Sequence, residues 1–368
     1  MSQKRNTVGR ILFGIFLAIV LLLLLGFGLL WLNFGRFVTA GRSIQKLEDN
    51  LYAMEIKGDY GLDEFLETGG ADTDTKVGQF VASYLSHGLY AYQGSLARTP
   101  FGCSTLCVRN QDGNVLFGRN YDWEESTALI LHTVPKNGYE SVSACCVDFL
   151  GFGENYRPDG SVLERAEALA AVFVPLDGMN EKGLMVTDLM AGGTEKADQQ
   201  TDKPDLTTTT ALRLLLDRAA TVDEAVELLG QYDMHSSLDF AHHFAIADAS
   251  GKSVAVEYIN NEMVVTETAL LTNHYLAPQK GENGGKQSHL RYDALKKRIG
   301  KTMEKEEVAA ALESVAQKNY PRTDGTIRKT VWSWVYSPNE QAAEFFFNEG
   351  FDFSYKVSLN SKDKWIRK

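Results

Sequence analysis

The alternation of hydrophobic and polar positions changes character three times along this chain. From Ile11 to Phe34 the run ILFGIFLAIVLLLLLGFGLLWLNF carries no charge, and a helix of about 20 apolar residues is enough to cross a bilayer core. Lys4, Arg5 and Arg10 precede it. Basic flanking residues stay on the cytoplasmic side, so residues 1–10 are expected in the cytoplasm and everything beyond 34 outside it, with a single pass through the cell membrane. Trp31 suits the outer interface. A cleaved signal peptide is the rival reading, and Val38-Thr39-Ala40 offers small residues for cleavage. Such a peptide has an apolar region of only about 7–15 residues, so the longer run favours a retained signal-anchor helix over 11–34.

Residues 35–102 form a second zone. IQKLEDNLYAMEIKG and VGQFVASYLSHGLYAYQG read as helices, separated by an acidic, glycine-containing break. After Pro100 short β-type runs alternate with turn signals: STLCVRN-QDGN-VLFGRNYDW, ALILHTV-PKNG-YESVSACCVDF and LAAVFVPLDGM-NEKG-LMVTDLMA. Asp/Asn-Gly chemistry between such runs predicts hairpins. TALRLLLDRAATVDEAVELLGQY has helical spacing, with Thr221 a cap for a second start. HHFAIADAS and KSVAVEYIN read as strands, QSHLRYDALKKRI and KEEVAAALESVAQ as amphipathic helices. TVWSWVYSP, EQAAEFFF and FDFSYKVSL read as closing strands, and 276–287 as a polar glycine-rich loop. Hairpins, then helices, then hairpins predict an α+β arrangement of sheets covered by helices rather than βαβ units.

The net charge of −11 with no basic tract in the ectodomain excludes a nucleic-acid partner. Four cysteines, at 103, 107, 145 and 146, are too few to staple a chain of this size. Their spacings suggest no metal site, and no cofactor motif is present. Cys145 and Cys146 lie in an apolar run, where cysteine behaves as a small hydrophobe.

Gly102-Cys103-Ser104-Thr105 opens the first predicted hairpin, and Arg119, Asn120 and Asp122 lie on its return strand. An arginine near a thiol lowers its pKa, and a carboxylate can orient an amine, although an Arg and an Asp on neighbouring strands also make plain structural ion pairs. The arrangement resembles the mature N-terminus of the choloylglycine hydrolase and acid ceramidase superfamily, which includes bile salt hydrolases and penicillin V acylases. Gly118 lies fifteen residues after Cys103 and is followed by Arg119, Asn120 and Asp122. The resemblance continues through DGMNEKGL, HHFAIADASGKSVAVE, LLTN, SHLRYDAL and TVWSWVYS, from residue 102 to the C-terminus.

That resemblance implies the four-layer α/β/β/α sandwich of N-terminal-nucleophile (Ntn) hydrolases over 103–368. It also implies a cysteine hydrolase of linear, non-peptide amide bonds in N-acylated small molecules. A thiol of pKa about 8.5 needs a base; an α-amine of about 7.7–8.0 can serve, whereas a peptide nitrogen cannot. The Gly102–Cys103 bond therefore has to be cut first, and by resemblance Cys103 cuts it. The resemblance gives Asp122 the amine to orient, Arg119 the thiolate to support, Asn273 the oxyanion to stabilise by its side-chain amide, and Arg291 an electrostatic role. Met190 stands where bile salt hydrolases carry Asn; the contribution expected there is a backbone N–H, so bile-salt selectivity is in doubt while the oxyanion hole is not. Acyl transfer to an amine is the alternative chemistry, and a non-catalytic tethered binding protein the alternative class.

Residues 35–102 are expected to act as a pro-segment or small subunit that stays bound without a covalent link, since residues 1–102 contain no cysteine. The stripe Phe80, Tyr84, Leu85, Leu89 and Tyr92 is its expected apolar face. His242, His243, Cys107, Asp188, Glu181 and the aromatics Trp332, Trp334, Tyr336 and Phe345–Phe347 are read as structural.

Overall fold

The computed structural model describes residues 2–368 except 93, 95–98, 154, 194, 282, 323–324, 360–364 and 368. Parts of the pro-segment (93 and 95–98) and of the glycine-rich loop (282) thus lie outside the described residues.

Two large sheets face each other. The first has nine strands in the order Gln45–Glu48, Leu51–Gly58, Ala128–Pro135, Ser141–Cys146, Asp177–Asn180, Met185–Met190, His242–Ala247, Ser253–Ile259 and Glu262–Glu267. The second runs Leu270–Thr272, Gly102–Arg109, Val115–Trp123, Ile327–Ser337, Ala342–Phe347, Tyr355–Ser358 and Trp365–Arg367, with Tyr320–Pro321 beside Ile327–Ser337. Period-two alternation decides which side chains fill which layer. Ala128, Ile130, Val142 and Ala144 meet Cys103, Phe117, Tyr121 and Trp332 between the sheets. Their sequence neighbours Leu129 and Leu131 turn outward under Leu212, Leu215 and Val222. On the far side Leu106, Leu116 and Val335 pack under Leu295, Val308 and Leu312. This makes four layers, helix–sheet–sheet–helix, as expected. Thr221 caps Val222–Leu229 by accepting the Glu224 N–H, and Thr207 caps Thr208–Arg218.

Residues 35–102 depart from their helical reading. Residues 35–43 continue the N-terminal helix; beyond them, among the described residues, the helices are Leu62–Glu67 and Asp74–Ser86, while Gln45–Glu48 and Leu51–Gly58 are strands. Short apolar runs fit both periods, and tertiary pairing settles this one. Leu51–Gly58 pairs in parallel with Ala128–Pro135, sending Leu51 and Ala53 between the sheets and Tyr52, Met54 and Ile56 toward the helices. The expected helix stripe holds in part. Phe80, Tyr84 and Leu85 pack on the core, but Leu89 is exposed. A second correction concerns LAAVFVPLDGM. Ser161 and Glu164 form a capping box, and the helical path continues as a 3-10 segment over Ala168–Phe173, so the strand is only Asp177–Asn180. The edge strand Glu262–Glu267 was not anticipated; half of its residues are exposed, none is buried, and its only charges are the glutamates at its two ends.

An unbroken helix, Ser2–Ser43, precedes all this. No part of its most apolar stretch is buried, whereas Phe37 and Ala40 join the core. Because residues 44–86 are built into that core, Phe65→Ala should destabilise the whole protein. Phe65 is fully buried between Phe80 and Phe173, at ring distances of 5.1 and 5.7 Å. The expected loss is about 3–5 kcal/mol, read as a lower denaturant midpoint with an unchanged slope.

Candidate active site

Cys103 is the second residue of a strand buried on both faces. Antiparallel register puts it opposite Tyr121, Gly102 opposite Asp122 and Thr105 opposite Arg119. The thiol is completely enclosed. Arg119 Nη1 donates to Sγ at 3.6 Å, and the thiol faces the Asp188 carbonyl at 3.8 Å. Burial pushes the thiol up to about 12, with the Arg119 charge pulling the other way. With the Gly102–Cys103 peptide intact, the sulfur is therefore held as a thiol rather than a thiolate.

Arg119 belongs to one sheet and its counter-ion to the other. Its Nε lies 2.6 Å from Asp177 Oδ2, a close ion pair rather than an aligned hydrogen bond, and neither side chain reaches solvent. Its Nη2 donates to the carbonyls of Leu176 and Asp188, each at 3.2 Å. Trp332 Nε1 and Tyr336 OH donate to Asp177 at 2.8 and 3.3 Å. Two aromatics of the predicted cluster thus brace the carboxylate that holds Arg119.

Asn273 and Arg291 arrive from far along the chain. The Cys103 N–H donates to Asn273 Oδ1 at 2.7 Å, and Arg291 Nη2 donates to the same oxygen at 2.7 Å. Arg291 Nη1 donates to the Cys103 carbonyl, and to Ser104 Oγ at 2.7 Å. Asn273 Nδ2 donates to the Met190 carbonyl at 2.8 Å, leaving its second N–H uncommitted there. Asp122 Oδ1 accepts from Thr330, while Oδ2 lies 3.4 Å from Arg291 Nη1 and has no hydrogen-bond partner. A Cβ at Gly102 would stand 3.2 Å from that oxygen, so glycine keeps the approach to the carboxylate open. All the residues singled out in the sequence are therefore brought together, including the pair 103 and 291, separated by 188 positions.

Four contributors were not singled out. Asp177 was read only as part of a hairpin. Arg328 donates to the Pro100 carbonyl, two residues before the Gly102–Cys103 bond. Asp188, read as structural, is buried within Met185–Met190 and accepts from His242 Nδ1 at 2.9 Å. His242 Nε2 points at the Ser237 carbonyl at 2.9 Å. Both ring nitrogens face acceptors; burial opposes the charged form, but Asp188 prevails and raises the pKa. His243 makes the structural pair expected of it, with Glu257 at 3.1 Å. An apolar cavity of about 140 Å3 runs beside these groups, with Phe101, Leu176, Asp188 and His242 in its wall together with Val77 and Val81 of the pro-segment. No cluster of three metal-ligating side chains occurs among the described residues.

Two facing sheets flanked by helices make this an α+β, Ntn-hydrolase-like fold, and solved structures agree. A mutant conjugated bile acid hydrolase from Clostridium perfringens superposes with a TM-score of 0.54 at 17% identity, covering 72% of this chain and 95% of that one. Penicillin V acylase from Agrobacterium tumefaciens gives 0.52 at 19% identity, covering 72% and 90%. In sequence, residues 103–279 match the model of the linear amide C–N hydrolases, choloylglycine hydrolase family. A penicillin V acylase from Pectobacterium atrosepticum is 30% identical over 158 residues, which is 40% of this chain and 41% of that protein. The matched part is thus less than half of that relative's length. The family resemblance read from the motifs holds over the matched region.

The Arg119–Asp177 pair yields a direct test. Asp177→Ala would leave a buried guanidinium without its counter-ion, and breaking such a pair costs about 3–5 kcal/mol. Thermal unfolding should shift down accordingly. A loss below about 1 kcal/mol would mean that solvent reaches Arg119.

Proposed function

We propose that this protein is a membrane-anchored cysteine Ntn-hydrolase that cleaves linear amide bonds of N-acylated small molecules after cutting its own chain between Gly102 and Cys103. The observation that carries the reading is the convergence of Arg119, Asp122, Asn273 and Arg291 on Cys103, at the residue where the family match begins.

In maturation Cys103 Sγ attacks the Gly102 carbonyl carbon. The thiol proton passes to the departing Cys103 nitrogen, and water then hydrolyses the thioester to a Gly102 carboxylate. The new α-amine is the base that the peptide nitrogen could not be. In turnover that amine takes the thiol proton as sulfur attacks the substrate carbonyl. It returns the proton to the leaving amine, and water releases the acid from the thioester. Arg119 supports the thiolate, and the partnerless Oδ2 of Asp122 orients the amine. The second N–H of Asn273, with the Met190 backbone N–H, receives the oxyanion. The apolar cavity takes the acyl group, and its wall from Asp74–Ser86 makes the pro-segment part of the working enzyme. The helix over 11–34 holds the assembly to the membrane, with the catalytic layers on the extracytoplasmic side.

Intact mass tests maturation. Wild-type protein should give two fragments divided at Gly102–Cys103, and Cys103→Ala a full-length, inactive chain. An uncut chain that turns over an N-acyl amide would overturn the mechanism. Asn273→Ala should lower kcat by about 10²–10³ with little change in KM, because the oxyanion exists only on the reaction path. A loss confined to KM would make Asn273 a substrate-binding residue instead.

The fragments should stay together after cleavage. Leu51–Gly58 hydrogen-bonds along the length of Ala128–Pro135, and residues 1–102 hold no cysteine. An N-terminal tag should therefore retrieve the Cys103 fragment in mild detergent with or without reductant, and lose it in denaturant. Separation under native conditions would make the segment a discarded propeptide.

A further inference from the structure

The cavity that Phe101, two residues before Cys103, lines opens where the N-terminal helix leaves its uncharged run. Asp188 and His242 lie buried in its wall, whereas Tyr90 and Leu163, also in its wall, are 38% and 55% exposed and mark its mouth. Next to them Leu89 and Val162, outside the lining, are 86% and 87% exposed. Isolated exposed apolar side chains are ordinary; four around one opening form a patch.

Three contacts fix this rim against the N-terminal helix. The His87 ring meets Phe34, the last residue of the uncharged run, edge-on at 4.8 Å. Arg165, from the short helix that begins at Val162, donates to the Gly41 carbonyl at 3.0 Å. Tyr90 OH donates to Glu167 at 3.1 Å and joins the two sides of the mouth. Because the helix runs unbroken from Ser2 to Ser43, the rim is held within roughly 10 Å, seven residues of helix, beyond Phe34. That is the depth range of the bilayer interface, where apolar side chains seat about 5–10 Å deep.

We propose that Leu89, Tyr90, Val162 and Leu163 form a rim seated in the membrane surface, so that the cavity faces the bilayer and takes N-acyl amides from it, acyl chain first. The inference rests on the anchoring and hydrolase readings above and adds the partner surface and the route. Apolar continuity from acyl layer to rim to cavity lets a chain enter without exposing its CH₂ groups to water.

The test uses the full chain in phosphatidylcholine vesicles. In a Cys103→Ala background, which stays uncut and whose other three cysteines are buried, Leu89→Cys and Val162→Cys each offer one accessible thiol for an environment-sensitive dye. Lys318→Cys, exposed beyond the opposite helical layer, is the control. Lipids spin-labelled high on the acyl chain should quench the dyes at 89 and 162 but not at 318, and aqueous iodide should do the reverse. In a second arm, the Leu89→Glu/Val162→Glu double variant and wild type hydrolyse N-palmitoyl and N-butyryl amides of 7-amino-4-methylcoumarin in the same vesicles. The palmitoyl-to-butyryl rate ratio should fall about tenfold or more as two side chains leave the apolar layer. Vesicle flotation without quenching at 89 and 162, or an unchanged ratio, overturns the rim. Failure of the chain to float overturns anchor and rim together. Quenching without turnover of either amide leaves the surface standing and overturns the hydrolase reading.

Discussion

A buried ion pair between the two sheets is the constraint from which the rest of the site follows. Arg119 comes from one sheet and Asp177 from the other, and both are sealed from water. Removing two charges from water is expensive, and their attraction offsets that cost only with good geometry and further hydrogen bonds. Here the further partners are present. The Leu176 and Asp188 carbonyls accept from the guanidinium, and Trp332 and Tyr336 donate to the carboxylate. A slip of either sheet by one residue would turn one partner of the pair to the wrong face, so the pair fixes how the sheets meet. Arg119 then has one orientation, and Nη1 reaches Cys103 as a consequence of it.

The segment before Cys103 is tied to the same constraint. Its strand Leu51–Gly58 borders Ala128–Pro135, which borders Ser141–Cys146, which borders the strand of Asp177. The Asp74–Ser86 helix lies over the same sheet and closes the cavity wall. Cleaving before Cys103 would therefore cut a link in sequence without removing a layer from the structure. The parallel pairing and the shared core are unaffected by which peptide bond connects them.

The catalytic half was legible because its signals are local or carried by motifs. Turn chemistry at QDGN set the first hairpin, and a hairpin register places Arg119 and Asp122 beside Cys103 without knowledge of the fold. Asn273 and Arg291 came from resemblance alone, since no local rule links positions so distant in sequence. What was missed depends on tertiary context. LYAMEIKG has apolar residues that suit either period, and only the free edge at Ala128–Pro135 makes it a strand. Asp177, Asp188 and Arg328 are charged residues of a kind that usually lies at turns or on the surface. Nothing in the residues around them shows that a buried guanidinium, a buried imidazole and the Pro100 carbonyl await them. His242 was read as structural, and its local pattern gives no hint of two acceptors facing the ring.

On the proposed mechanism, the intact chain already holds the acceptors that the matured one would use. The Cys103 nitrogen now has a single N–H, given to Asn273 Oδ1, an oxygen that Arg291 keeps in place from the other side. Hydrolysis of the Gly102 bond turns that nitrogen into an amine with two or three N–H groups. An acceptor for the additional proton is at hand in Asp122 Oδ2, which has no hydrogen-bond partner and stands beside Gly102. The thiol changes in parallel, because the cut opens the wall whose closure pushes it up to about 12. Water and substrate gain access from that side, and desolvation, the largest influence on the sulfur, weakens while the Arg119 charge remains. Maturation on this reading needs no rearrangement of the layers, since one bond is exchanged for a base and an opening at the place where four side chains already point.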